Sequence, residues 1–341
     1  HGGQRADHAT GRGYIDGPLG QLAASARVAR GAGGCVRHGL LFCLLHGSGA
    51  VFRWCLRRRN GPAWTDNLWL NSNPGYRTRM LFLLSPAKSL DYESPGAVVE
   101  PSEPLFVRQS TQLIRLLRQR SVQDVATLMS LSDKLAALNV ARYQAWSRRA
   151  GDANARPAVL AFDGDVYDGL AARSLKPADL KWAQEHLCIL SGLYGVLRPL
   201  DRMQAYRLEM GTALPNPKGD NLYQFWGAQI AQYLNSRQAD SAFPVVVNLA
   251  SQEYFHAIRP NKLEARIITP IFKDQKNGVY KIISFFAKKA RGMMSRYIIQ
   301  NQLSDPEAIK HFNRAGYCFS SEDSSQDEWV FTRSEGKSSL G

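Results

Sequence analysis

Leu187-Cys188-Ile189-Leu190-Ser191-Gly192-Leu193-Tyr194-Gly195-Val196-Leu197-Arg198-Pro199-Leu200-Asp201 sets two glycines three residues apart between apolar runs, with an arginine directly after. The spacing predicts a helix-hairpin-helix. Gly192 and Gly195 let the chain turn tightly and bring backbone N–H groups against a phosphate. A helix starting at the corner adds the positive end of its dipole, and Arg198 adds a full charge. The other reading of the same residues is an ordinary helix–turn–helix packed in a core, because short motifs match many unrelated chains.

Outward from this corner the chain alternates irregularly. Residues 176–186 read as a helix leading into it. Further upstream, residues 157–162 read as a buried strand ending in Asp163-Gly164-Asp165, and residues 80–85 as a first buried strand ended by Pro86. Between these lie helices over residues 109–119 and 122–129. A third starts at Ser132 as N-cap and runs to about Trp146, with Leu135, Leu138 and Ala141 or Arg142 on its core face. Downstream, residues 199–217 are irregular and residues 221–235 helical. Residues 244–250 form a β-branched third strand. Asn277-Gly278 predicts a hairpin between residues 266–273 and 279–286. A helix then covers residues 287–302, and a last short strand lies near residues 329–332. This mixture, with at least one antiparallel pair, predicts a mixed α/β (α+β) single domain with a mixed sheet and flanking helices.

The first 79 residues differ in kind from the rest. They hold eleven arginines, no lysine and three acids (Asp7, Asp16, Asp66), and Met80 is the first methionine. Residues 1–79 read as a non-native or disordered leader translated upstream of Met80, and residues 80–341 as the domain. The rival reading is a basic arm for nucleic acid or membranes. The apolar run at residues 40–45 is too short to span a bilayer, and it lies too deep in the chain for a secretory signal. The net charge of +14 divides as +8 in the leader and +6 in the remainder, a moderately basic body that favours polyanionic partners. The body keeps only Cys188 and Cys318, so no disulfide framework is implied and a reducing cytoplasm is expected. Its histidines, His186, His256 and His311, form no recognisable metal spacing with them. No cofactor and no resident metal are expected.

Two groups of residues are candidates for chemistry. On the helix over residues 287–302, Ala290, Met293, Met294, Tyr297 and Ile298 share one arc, while Lys288, Lys289, Arg291 and Arg296 share the opposite one. The basic arc is either a solvated face or a ridge for phosphates. Ser85 and Lys88, Asp163 and Asp165, and Asn248, Ser251 and Glu253 follow successive strands, where α/β proteins gather ligands. Lys88, Asp163 and Asp165 are the catalytic candidates if these groups converge. Otherwise they are turn chemistry and a surface charge. Tyr194, Tyr206, Trp226 and Tyr254 interleave with basic groups and are either base-stacking surfaces or core.

Several ordered motifs resemble one family. They are Met80-Leu-Phe-Leu-Leu-Ser-Pro-Ala-Lys-Ser-Leu-Asp-Tyr92, Ser132-Asp-Lys-Leu135, Phe162-Asp-Gly-Asp-Val-Tyr-Asp-Gly-Leu170, Leu190-Ser-Gly-Leu-Tyr-Gly-Val-Leu-Arg-Pro-Leu-Asp201, Tyr206-Arg-Leu-Glu-Met-Gly211, Tyr223-Gln-Phe-Trp-Gly227, Asn248-Leu-Ala-Ser251 and Lys288-Lys-Ala-Arg-Gly292. From Met80 to about Arg333 the chain resembles the YaaA family of peroxide-stress proteins. The resemblance implies a cytoplasmic protein of the oxidative stress response that limits iron-driven damage to DNA and proteins. It also implies an α/β domain with a positively charged cleft and a helix-hairpin-helix, mapped here onto residues 190–198, that binds duplex or structured DNA. The residues expected at DNA are Gly192, Tyr194, Gly195, Arg198, Lys288, Lys289, Arg291 and Arg296. Neither a membrane nor an obligate protein partner is expected. The alternatives are an uncharacterised enzyme using Lys88, Asp163 and Asp165, or an iron-sequestering protein whose ligands would be carboxylates.

Overall fold

Met80–Leu84 is apolar and buried at every position, as a strand covered on both faces must be. It forms the centre of the sheet in the computed structural model, which describes residues 79–95, 99–151 and 153–336. The leader expected over residues 1–79 lies outside the described residues apart from Arg79.

The elements run β1 (Met80–Leu84), β2 (Ser89–Leu90), α1 (Val107–Arg118), α2 (Val122–Met129), α3 (Asp133–Ala145), β3 (Ala155–Pro157), α4 (Ala158–Ala161), β4 (Phe162–Asp163) and α5 (Asp165–Leu170). They continue with α6 (Pro177–His186), β5 (Leu187–Ser191), β6 (Gly195–Leu197), β7 (Arg202–Gln204), α7 (Leu222–Trp226), α8 (Gln229–Arg237), β8 (Val245–Asn248) and α9 (Gln252–His256). The last are β9 (Arg266–Lys276), β10 (Val279–Lys281), α10 (Ser284–Gln300), β11 (Cys318–Ser320) and β12 (Glu328–Arg333). The main sheet has the order β11-β12-β9-β8-β1-β5-β6, with β10 paired to β9. Its five middle strands are parallel, while β6, β10 and β11 are antiparallel additions. The architecture is the expected mixed α/β one. The chain leaves β1 towards β5 on one side and leaves β8 towards β9 on the other, so the connections diverge between β1 and β8.

The helix-hairpin-helix expected over residues 190–198 is instead a β-hairpin. Residues 187–191 lie parallel to β1, with Leu187 beside Phe82, and turn back antiparallel into residues 195–197. Every residue from 191 to 197 is buried. A strand buried on both faces is a continuous apolar run, and periodicity does not separate it from a buried helix. The turn is closed by the Tyr194 N–H donating to Ser191 Oγ at 2.9 Å and by Trp226 Nε1 donating to the Gly192 carbonyl at 3.0 Å. Gly195 has φ +68°, and a Cβ there would lie 2.7 Å from the Trp226 ring. A Cβ on Gly192 would lie 2.2 Å from the Leu208 carbonyl oxygen. The glycines therefore serve close packing, and their N–H groups face protein.

Four further expectations change. The hairpin arm expected over residues 279–286 ends at Lys281, and α10 begins at Ser284. The strand expected over residues 157–162 is two short strands around a single helical turn, α4. The helix expected from residue 221 to 235 breaks at Gly227, φ 54°, into α7 and α8. The core face of α3 is Ala136, Asn139 and Tyr143, while Leu135 and Leu138 are exposed. Polar tips fix that face. Tyr143 donates its hydroxyl to the Arg207 carbonyl, and Trp146, just after the helix, donates Nε1 to the Tyr194 hydroxyl at 2.9 Å. A buried Tyr or Trp keeps a hydrogen-bond partner, and these partners lie on the Asn139 side.

Candidate functional site

A cleft of about 460 Å³ opens at the C-terminal ends of β1 and β8, where their connections diverge. Open α/β sheets bind ligands at such a point. Ser85 and Lys88 enter from the loop after β1, and Ser251 and Glu253 from the segment after β8. The two loops are pinned together: the Ser251 N–H donates to Ser85 Oγ at 2.8 Å, and the Ser85 hydroxyl donates to Ser251 Oγ at 3.2 Å. The Tyr167 hydroxyl holds the Ser85 carbonyl at 3.0 Å.

Asp163 and Asp165 form the second wall. They reach the cleft because β2 pairs with β4, placing Ser89 opposite Asp163. Lys88 is thereby carried to the aspartate side. The strand-end reading thus has its convergence, since Lys88, Asp163 and Asp165 line one cleft.

The third wall is residues 206–209, and sequence reasoning missed its charges. Tyr206 and Leu208 are buried while Arg207 and Glu209 look into the cleft. The signal was present as an alternation of apolar and polar residues with period two over residues 206–210. Glu209 bridges Lys88 at 3.2 Å and Arg207 at 3.0 Å. Glu253 accepts the Gly211 N–H at 2.8 Å.

Helix α10 closes the fourth side with Lys288 and Arg291, one turn apart. Lys288 lies 3.7 Å from Asp165. Arg291 is half-buried, and desolvation pulls its guanidinium below the usual arginine range. Among the described residues it has no hydrogen-bond or ion-pair partner. Arg207 Nε is buried and likewise without an acceptor among the described residues. Arg291 therefore presents an unmatched guanidinium at the cleft, an arrangement that suits an oxyanion such as phosphate or carboxylate.

The other expected contacts divide. Lys289 does not line the cleft; its carbonyl oxygen lies against Gly169. Arg296 donates to the Leu170 and Ala171 carbonyls at 3.0 and 2.9 Å, satisfying the end of α5. Arg198 is folded onto Asp201, with Nη2 2.9 Å from Oδ1, and donates to the Glu103 carbonyl. Gly192, Tyr194 and Gly195 lie behind the third wall, so the glycine corner is a buried support of the cleft and not a phosphate seat. Tyr194, Tyr206, Trp226 and Tyr254 are core, not stacking platforms. Burial pushes the Tyr194 phenol up to about 12, against hydrogen bonds from Trp146 and Gln204.

Among the described residues no group of three or more His, Cys, Asp or Glu side chains is placed to share a metal ion. Among them, too, no helix is long and apolar enough to cross a membrane. Cys188 is buried, its thiol pushed up to about 11 by desolvation, and Cys318 is exposed.

Comparison with known proteins gives a consistent result. The family model for the peroxide stress protein YaaA matches residues 80–323. A UPF0246 protein of Bordetella petrii is 59% identical over 254 residues, 74% of this chain and 99% of that protein. UPF0246 proteins of Albidiferax ferrireducens and Polaromonas naphthalenivorans are each 58% identical, over 256 and 257 residues. Each alignment covers 75% of this chain, and 99% and 100% of those proteins respectively. The chain whose β1–β8 divergence carries this charged cleft belongs to the YaaA family of peroxide stress proteins.

Proposed function

We propose that this peroxide stress protein binds DNA at the strand-end cleft, by phosphate contacts without strong sequence preference, and so helps limit iron-driven oxidative damage. Arg291 carries the reading. An arginine drawn out of water with no anionic partner is costly to hold. A phosphodiester oxygen at the cleft would supply the missing acceptor with a charge-assisted bond. Lys288 lies one helical turn away, and Lys88 and Arg207 line the same cleft. Contacts to phosphate position a duplex or structured strand and read no bases. The basic body supports a polyanion as the partner. A bound protein layer would also keep iron ions from the phosphates to which they are drawn.

The test is DNA binding across a salt series for the wild-type chain, Lys288→Gln and Arg291→Gln. Each lost contact is expected to weaken binding for all sequences alike and to reduce the salt slope by about one. Unchanged affinity and slope in both variants would remove the cleft from the interface.

The convergence of Lys88, Asp163 and Asp165 favours a second reading, an enzyme acting on what the cleft holds. A lysine and two carboxylates around one ligand can move protons. Mass spectrometry of oligonucleotides after incubation distinguishes the two readings. Products lost in Asp163→Asn and Lys88→Met would support catalysis, and strands returned unaltered would leave binding alone.

A further inference from the structure

Among the described residues nine large hydrophobic side chains are exposed, and four of them fall within residues 279–285: Val279, Tyr280, Ile282 and Phe285. Val279 and Ile282 are 64% and 60% exposed. Apolar groups concentrated in this way mark an interaction surface, whereas the same groups scattered would not. The surface is held by structure. Asn277 and Gly278, both at positive φ, close the tight turn between β9 and β10, and α10 begins three residues after β10 ends.

Within the stretch itself the charge is of one sign. Residues 275–289 contain Lys276, Lys281, Lys288 and Lys289 and no acid. The carboxylate just before them, Asp274, is buried on Arg333 at 2.6 Å. Acidic residues do touch the hairpin, Asp323 at Lys273 (3.9 Å) and Glu335, whose N–H donates to Gln275 Oε1 at 3.2 Å. Lys276 and Lys281 make no ion pair among the described residues. The surface also continues into the cleft. Phe285 precedes Lys288 and Lys289 by three and four positions, so all three lie on neighbouring parts of one helical face, and Lys288 lines the cleft.

We propose that the tip over residues 279–285 is a base-contacting wedge that selects DNA with unpaired or easily unstacked bases. The inference rests on the DNA reading of the cleft. With the backbone held at Lys288 and Arg291, Ile282 and Phe285 meet opened bases and Val279 extends the apolar edge. Lys276 and Lys281 neutralise the flanking phosphates. Apolar side chains on cationic scaffolds enter base steps in this manner, and unpaired bases stack on aromatic rings without regard to sequence. An anionic lipid surface shares the chemistry of the tip. Nucleic acid is favoured because the patch runs into a concave cleft holding an unpartnered guanidinium, which a flat bilayer does not enter.

The experiment uses the full chain, the Ile282→Ser/Phe285→Ser double variant, and two DNA probes carrying 2-aminopurine. One is a perfect duplex; the other has the fluorophore in a single-base bulge. The wild-type chain is expected to bind the bulged probe about tenfold more tightly, the order of one stacked base, with a rise in fluorescence as the base leaves its neighbours. The double variant is expected to lose the preference and the fluorescence rise, while keeping its melting temperature and the salt slope on the perfect duplex. A variant that retains both signals overturns the wedge and leaves the cleft reading standing. A wild-type chain that binds neither probe overturns the cleft reading and the wedge with it. Vesicles of phosphatidylserine and phosphatidylcholine form the last arm. Vesicle binding lost in the double variant, with DNA binding and the bulge preference unchanged, assigns the tip to membranes instead.

Discussion

Gly292 of α10 lies against the backbone of Val166 in α5, so closely that a Cβ on Gly292 would stand 1.8 Å from the Val166 carbonyl oxygen. The contact is reciprocal along the crossing, because a Cβ on Gly169 would stand 2.1 Å from the Lys289 carbonyl oxygen. Small residues here let two helices approach at backbone distance. The approach fixes how far Lys288 and Arg291 project over Asp165. Gly292→Ala cannot be accommodated by a side-chain rotation, because the obstacle is main chain. The expected cost is about 3 kcal/mol, the upper end for overpacking, read as a lower urea midpoint at unchanged slope. A variant within about 0.5 kcal/mol of wild type would mean that the crossing is loose and does not set the cleft's width.

Arg198 offers a contrast with Arg291. Its guanidinium is committed to Asp201, a carboxylate that is 1% exposed and also accepts from Ser102 at 2.6 Å. Burial holds that carboxyl above the usual range in spite of these bonds. Arg198→Gln is expected to lower stability by about 2 kcal/mol, less than a fully buried pair because the arginine is partly exposed. It is expected to leave the salt slope of DNA binding untouched, whereas Lys288→Gln reduces it. A slope that falls in Arg198→Gln would return the hairpin to the interface.

The legibility of this fold follows how local each signal is. The apolar run of β1, the β-branched run of β8 and the Asn277-Gly278 turn specify their structure within a few residues, and all three are seen. The stretch from Leu187 to Leu197 does not, because being buried on both faces erases the period that separates strand from helix. The face of α3 follows from the partners of Tyr143 and Trp146, which come from residues more than forty positions away. The cleft is intermediate. Lys88, Asp163 and Asp165 could be named from their places after strands, but only the pairing of Ser89 with Asp163 brings them together. Arg207 and Glu209 were visible as an alternation that had no strand to belong to. The division of the basic arc of α10 could not be read, because Arg296 and Arg291 differ only in what α5 presents to each.

His186 should make the fold acid-sensitive. Its ring stacks on Trp182 with centroids 3.9 Å apart, and Nδ1 lies 3.0 Å from the Met80 carbonyl oxygen, to which it donates. Desolvation lowers its pKa below the ordinary 6.5, aided by Arg79 and Arg237 and opposed by the Met80 hydrogen bond and Glu185. The folded chain therefore binds a proton less readily than the unfolded chain. Between the ordinary value and the folded one the unfolded state holds more protons, so stability rises with pH there and is lost as pH falls through the window. Urea midpoints taken from pH 7.5 to 5 are expected to decline more steeply in wild type than in His186→Gln. Parallel declines would show that the ring is protonated as easily in the fold as outside it.

A buried ion pair lies behind the hairpin. Asp274 receives Arg333 Nε at 2.6 Å and the Tyr317 hydroxyl at 2.8 Å, and both charged side chains are almost fully buried. The guanidinium lies between the rings of Phe286 and Tyr317, 4.6 and 4.5 Å from their centroids, yet among the described residues its Nη2 finds no acceptor. Such a pair is poor evidence of net stabilisation, because two desolvated charges only partly recover the cost of leaving water. Removing one partner is a different matter. Asp274→Asn leaves a buried cation with a neutral amide, at a cost of about 3–5 kcal/mol. Arg333→Met leaves the carboxylate with only the Tyr317 hydroxyl, and a loss of similar size is expected. The double variant removes both charges, and methionine fills much of the arginine's volume between the rings. It should therefore be more stable than either single variant, with a coupling energy above 1 kcal/mol in a double-mutant cycle. Additive losses would mean that the two charges do not depend on each other, and that the rings alone hold Arg333 in place.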